Sequence, residues 1–255
     1  SSVTYLLIES TSFFTCKTSS NGGAIYFSNT NNGECVLYKV CGNDCCTTSN
    51  QDGQFSYIYV KKSASSKNYV NYSSIARCVN ENSNARYTMG NEYGINYFPS
   101  VNMSMNKCFS RSAFFIYPFT DSNSVTCLIT YSTFSDNNAT GHSCLRFNKN
   151  SAKHEIKRCN IIRNTQVSLG TGGTINANTN LMIDGSCILK NKATYNFYSD
   201  SYFTYTLSNC TVDSISYNQN LVIQNTVTKS FILALNHMST RNCHSEYDSV
   251  GTLTP

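Results

Sequence analysis

Between Arg158 and Ala193 one pattern occurs twice. Cys159-Asn160-Ile161-Ile162-Arg163-Asn164 is followed by Gly172-Gly173-Thr174-Ile175, then by Leu181-Met182-Ile183 and Cys187-Ile188-Leu189-Lys190-Asn191. An apolar group, a cysteine, an asparagine turn and a short β-rich run return together. Recurrence at a spacing of roughly 20–50 residues marks a chain built from stacked units.

The same unit can be followed through the chain. An apolar or β-branched residue, two polar residues and a cysteine recur at Ile75 to Cys78, Met105 to Cys108, Ile156 to Cys159, Leu207 to Cys210 and Thr240 to Cys243. With Cys187 in the series, and Thr133 where a cysteine is missing, the anchors fall at 78, 108, 133, 159, 187, 210 and 243, at intervals of 30, 25, 26, 28, 23 and 33 residues. An antiparallel sandwich would show turn signals every ~8–12 residues without a longer register. A parallel coil of two or three short strands needs a unit about this long. At the inter-strand spacing of ~4.8 Å, about eight or nine coils give a rod ~40 Å long. The predicted fold is therefore all-β: one right-handed parallel β-helix, or solenoid, over residues 1–255. Residues 1–56 form Cys-rich N-terminal coils or a disulfide-containing cap, and 57–255 the regular and semi-regular coils.

Stacking explains the residue choices. Equivalent positions lie above one another, so an inward position asks for Ile, Leu, Val, Phe or Cys in every coil, and turn asparagines can exchange amide hydrogen bonds along the rod. Phe134-Ser135-Asp136-Asn137, Ile161-Ile162-Arg163-Asn164 and Ile188-Leu189-Lys190-Asn191 share the form apolar, two residues, Asn. Each reads as a strand leaving into a turn.

Composition agrees. Forty per cent of the 255 residues are apolar, enough for a sizeable core, but only 13% are charged, so Ser, Thr and Asn must clothe the surface. Eighteen Tyr and fourteen Phe with no Trp and three Pro favour strands joined by Asn, Ser and Gly turns. The thirteen cysteines lack the paired spacing with histidine that zinc needs, which points to an oxidising compartment. Sequons at Asn71, Asn102, Asn138 and Asn209 agree with export. No apolar run approaches the ~20 residues of a membrane helix, so a membrane anchor is expected only outside this chain.

The FxxN element at Phe134 to Asn137, and GGAI at Gly22 to Ile25 with a weaker copy at Gly172 to Ile175, resemble the repeats of chlamydial polymorphic membrane proteins. The wording of Cys159 to Asn191, and the tail from Phe231 through Cys243-His244-Ser245-Glu246-Tyr247-Asp248, is similar to β-helical surface proteins of trichomonad parasites. The resemblance implies a right-handed parallel β-helix ectodomain attached through a C-terminal membrane segment. The Cys35 to Cys46 cluster and the stretch from Lys61 to Tyr97 depart from the repeat.

Stacked equivalent cysteines would have Cα atoms ~4.8 Å apart, inside the disulfide range. Two readings follow: pairs Cys78 with Cys108, Cys159 with Cys187 and Cys210 with Cys243, or a ladder of buried free thiols acting as small apolar residues. Cys16, Cys35, Cys41, Cys45 and Cys46 would staple the N-terminal end.

A polysaccharide hydrolase on this scaffold needs carboxylates converging within ~5–10 Å. Asp136 and Asp213 fall on one edge of the coil but three coils apart, ~14 Å. Lys190 lies between them, and Asp184 lies elsewhere; Asp184 and Asp213 are the nearest to candidates. His142, His154, His237 and His244 show no metal-ligand spacing and read as surface or turn residues. No metal, no cofactor and no catalytic residue is expected. From Arg146 to Arg163, the cations Arg146, Lys149, Lys153, Lys157, Arg158 and Arg163 face only Glu155, giving +5, the formal net charge of the chain. They form a candidate patch for an anionic glycan or acidic protein, the alternative being a solvated face. Nucleic acid is disfavoured by the modest charge. The sequence thus predicts a non-enzymatic module, extracellular or on the cell surface, that binds a host or self surface protein or glycan in adhesion. The alternative is a polysaccharide-active lyase or hydrolase.

Overall fold

Strict alternation decides which side chains enter the rod. In Lys153–Lys157, His154 and Ile156 are buried while Lys153, Glu155 and Lys157 face out. The computed structural model describes residues 4–79, 85–142, 144–148, 153–167 and 172–228. Among these residues there are short β-strands and no helix, and every strand pair is parallel. The chain is a right-handed parallel β-helix.

One coil serves for all. Val125–Thr130 lies on the first face, Thr133–Ser135 on the second after a bend at Tyr131, and Asn138–Ala139 follows a bend at Asp136; Leu145–Phe147 then forms the third face. The first and second sheets each hold nine strands and the third seven. The result is about seven turns, slightly fewer than expected, because the last two coils carry no strand on the third face. The segments that depart from the repeat still coil regularly: Glu34–Tyr38, Cys41–Asn43 and Ser56–Tyr59 occupy the three faces in turn, as do Lys67–Asn71, Ser74–Ala76 and Tyr87–Glu92.

The core is a set of columns. Ile129, Ile156, Ile183 and Leu207 are register partners down the first face, and Ile75, Met103, Phe134, Ile161 and Ile188 down the second, all fully buried. At ~25 cal/mol per Å² of apolar area, each such side chain contributes about 1.5–3 kcal/mol. At Gly42 the second column has no side chain. The Phe55 ring fills the gap so closely that a Cβ there would lie 2.3 Å from it.

Both bends use left-handed backbone. Tyr131 and Arg158 at the first bend, and Met105, Asp136, Arg163 and Lys190 at the second, all have φ between 51° and 57°. Such residues cost about 1 kcal/mol or more each outside glycine, so the neighbouring hydrogen bonds must offset them. At the second bend Asn106, Asn137, Asn164 and Asn191 stand in line. Each amide donates to the next Oδ1, at 3.1, 3.0 and 3.1 Å. The amides of Asn106, Asn137 and Asn164 also donate back to the carbonyls of Ile75, Met103 and Phe134, at 2.9–3.0 Å. At the first bend hydroxyls take this part: the amides of Val40, Val101 and Cys159 donate to Ser73, Ser132 and Ser186 of the next coil, each at 3.0 Å. The expected asparagine stack is therefore real.

The expected cysteine pairing is not found. Cys78, Cys108, Cys159 and Cys210 are free thiols, as are Cys16, Cys35, Cys45 and Cys46, and Cys187 forms no disulfide; Cys243 lies outside the described residues. The reason is register. Cys78 follows the second bend, Cys159 and Cys210 follow the first, Cys187 opens a second-face strand, and Cys108 closes Lys107–Cys108. They occupy four different columns, so neither Cys78 with Cys108 nor Cys159 with Cys187 is stacked. Burial pushes the Cys108 and Cys159 thiols up to about 12, leaving them protonated and apolar in behaviour. Of the five cysteines expected to staple the N-terminal end, Cys16, Cys35, Cys45 and Cys46 are free thiols, whereas Cys41 is not among the free cysteines.

His154, expected at the surface, is 1% exposed, packs 5.4 Å from the Phe147 ring, and has neither ring nitrogen hydrogen-bonded. Burial lowers its pKa from 6.5 to about 3. The unfolded chain therefore binds an extra proton between these values, and stability must fall as the pH drops below 6.5. Relative to His154→Leu, the wild type should lose about 2–3 kcal/mol between pH 7 and 4.5, measured by urea unfolding.

Candidate functional site on the third face

Outward positions of the third face form a register column: Tyr26, Tyr57, Gly90, Phe115, Arg146, Asn176 and Tyr198. Gly90 supplies no side chain. A register shift after Tyr87 brings the Tyr87 ring across, so that a Cβ on Gly90 would lie 2.2 Å from Tyr87 Cε2. Four rings then follow one another. Tyr26 and Tyr57 are 5.8 Å apart with planes 10° from parallel, Tyr57 and Tyr87 6.5 Å and 17°, Tyr87 and Phe115 5.0 Å and 17°. Stacked pairs of this kind contribute about 0.5–1.5 kcal/mol each beyond their buried area. The ladder is buried at Tyr87 and open at Tyr26, which is 59% exposed.

Charged groups line this strip. The Arg111 guanidinium lies 5.0 Å from the Phe115 centroid, a cation–π contact. Arg86 makes a two-pronged ion pair with Asp52, and Arg146 pairs with Asp200 at 2.7 Å. Asn178 supports Asp200 at 3.1 Å. The Tyr57 hydroxyl donates to Glu92 at 3.3 Å. Burial, with the Asp52 charge adding to it, raises the Glu92 carboxyl above the usual range, and the Tyr57 bond pulls the other way. Burial also pushes the Tyr57 and Tyr87 hydroxyls well above 10, so both stay protonated.

The predicted basic patch is not assembled. Arg146 stands on the third face, Lys153 and Lys157 on the first, Arg158 at the first bend and Arg163 at the second. Lys149 lies outside the described residues. Most of these cations are engaged: Lys157 with Glu155 at 2.6 Å, Arg163 with Asp136 at 2.7 Å through two bonds, and Arg158 with the Tyr131 ring and hydroxyl. A stretch of eighteen residues turns most of the way round a coil, so charges close in sequence diverge in space.

The acidic candidates do not converge either. Asp184, at the end of Leu181–Asp184, accepts from the Asn209 amide at 2.9 Å, and Asp213 accepts from the Lys190 backbone N–H at 2.5 Å on a different bend. Among the described residues no three His, Cys, Asp or Glu side chains are grouped to hold a metal. Of the sequons, Asn209 is exposed and Asn71 and Asn138 are half-buried, while Asn102 is 7% exposed and spends its amide on Ser74 at 3.0 Å. His237 and His244 lie outside the described residues.

The fold and strip define a parallel β-helix with an aromatic and charged third face. No protein-family model matches the chain, and comparison with curated proteins and with solved structures gives no significant match. Composition pointed to tyrosine but not to this arrangement. The signal was Gly90, a glycine inside a strand pattern, which marks a close approach of other atoms. Gly90→Val should expel the Tyr87 ring, cost about 1–3 kcal/mol and collapse the near-ultraviolet circular dichroism of the ladder; an unchanged spectrum would contradict the stacking.

Proposed function

We propose that this β-helix is a non-enzymatic binding module, displayed at an extracellular or cell surface, whose third face holds a host or self surface protein or glycan. The observation that carries the reading is the rigid strip from Tyr26 to Tyr198, where stacked rings and fixed charges share one side of the rod. Aromatic groups held without rotamer freedom lose little entropy on binding. The resemblance to β-helical parasite surface proteins and the sparsely charged, hydroxyl-rich composition support a surface location.

Glu92 favours a second reading, a polysaccharide-active enzyme. Its raised carboxyl has the character of a general acid, but the neighbouring Asp52 is held by Arg86. Reducing-sugar release from a polysaccharide panel, abolished in Glu92→Gln, would establish that reading in place of the first.

Glycan-array and cell-adhesion binding of the purified chain tests the main proposal. Tyr26→Ser should weaken binding at least about fivefold, the loss of one stacked aromatic contact. Met182→Ser, on the first face and 39% exposed, should leave it unchanged. Equal binding by wild type and Tyr26→Ser would overturn the assignment of the third face.

A further inference from the structure

Three arginines follow one another along the strip: Arg86 just before Tyr87–Glu92, Arg111 at the start of Arg111–Tyr117, and Arg146 in Leu145–Phe147. Two are neutralised, Arg86 by Asp52 and Arg146 by Asp200. Arg111 has no carboxylate partner among the described residues, although it is largely buried. Burial, then the charges of Arg146 and Arg86, lower its pKa to about 10, against the weaker opposite pull of Tyr87 and Asp52. A cation taken out of water and left unpaired between two others is unfavourable, and the fold retains it.

The neutral groups around it have the same polarity. Tyr87, whose Cα is the register partner of Arg111, is 1% exposed and its hydroxyl has no acceptor. The Nε atoms of Arg111 and Arg146 are also buried without an acceptor among the described residues. His142 sits one coil beyond: its backbone amide binds the Ser110 carbonyl at 3.2 Å, and the Arg111 and Arg146 charges assist burial in lowering its pKa. Glu92 faces Tyr57, and Tyr198 and Asp200 lie toward Arg146. The nearest carboxylates, Asp52 and Asp200, are already paired with Arg86 and Arg146, so among the described residues this cluster of donors has no negative acceptor left for Arg111.

We propose that Arg111, flanked by the Tyr87 hydroxyl, Arg146 and His142, binds a single oxyanion group, the carboxylate or sulfate of an acidic sugar. The guanidinium offers a planar fork that matches such a group through two parallel bonds. The neighbouring ring ladder gives the apolar sugar edge a surface to lie along. The proposal rests on the binding-module reading and narrows it to acidic glycans at one address.

The test is calorimetric titration of the purified chain with sialyllactose, a sulfated heparin disaccharide, neutral lactose and inorganic sulfate. Sialyllactose or the heparin disaccharide should bind at least about tenfold more tightly than lactose, and which of them binds identifies the carboxylate or the sulfate as the natural group. Arg111→Gln should lose that preference, whereas Arg163→Gln, paired with Asp136 on another bend, should keep it. Asp200→Asn provides a readout independent of any folding defect in Arg111→Gln: it releases Arg146 and should tighten the acidic sugar about threefold or more. Equal affinity of wild type and Arg111→Gln, weaker binding by Asp200→Asn, or retention of inorganic sulfate alone would each overturn the proposal. Array binding to neutral glycans that survives Arg111→Gln would overturn it while leaving the binding-module reading standing; absence of all glycan and cell binding would remove both.

Discussion

Every coil of this protein is roofed by the next through parallel backbone hydrogen bonds, and that single constraint makes like stand on like. A strand can meet it with any β-branched or aromatic residue, but a bend cannot, because left-handed residues there leave amides and carbonyls turned away from the sheet. The asparagine line from Asn106 to Asn191 answers the difficulty at the second bend by binding the backbone below and the side chain above. Serine hydroxyls answer it at the first. Buried amides with every valence used are worth far more than their net energy in water suggests, because the alternative is an unpaired polar group in a dry interior.

Where the columns need variety, the chain obtains it by subtraction. Gly42 admits Phe55 to the core and Gly90 admits Tyr87 to the surface ladder, in each case by removing the Cβ that would collide. The second substitution has the larger consequence. It closes the break between Tyr57 and Phe115 and sets the Tyr87 ring against the Phe115 ring that the Arg111 guanidinium covers, so one missing side chain joins an aromatic strip to a charged one. A rod whose coils cannot slide holds these groups in fixed relation, which is what recognition of a rigid partner requires.

How much of this was legible follows from the same geometry. The coil length, the parallel hand and the strand exits at Asn137, Asn164 and Asn191 could be read because they repeat. The cysteine series could not, because similar spacing concealed different columns: Cys159 and Cys78 each follow a bend, but not the same bend. His154 was readable from its alternation with Ile156 and was misjudged on residue type. The basic run from Arg146 to Arg163 looked continuous only along the chain, and the coil distributes it over separate faces and bends. Arg111 and Tyr87 carry no local signature, since their partners come from neighbouring coils about two dozen residues away.

The most direct test of coil stacking through the bend amides is a double-mutant cycle on Asn137 and Asn164, with unfolding free energies from urea titration of Asn137→Ala, Asn164→Ala and the double variant. If the amides act as one hydrogen-bonded line, the two losses are coupled by about 1–2 kcal/mol. Losses that add to within about 0.3–0.5 kcal/mol would mean that each asparagine serves only its own coil, and would contradict the account.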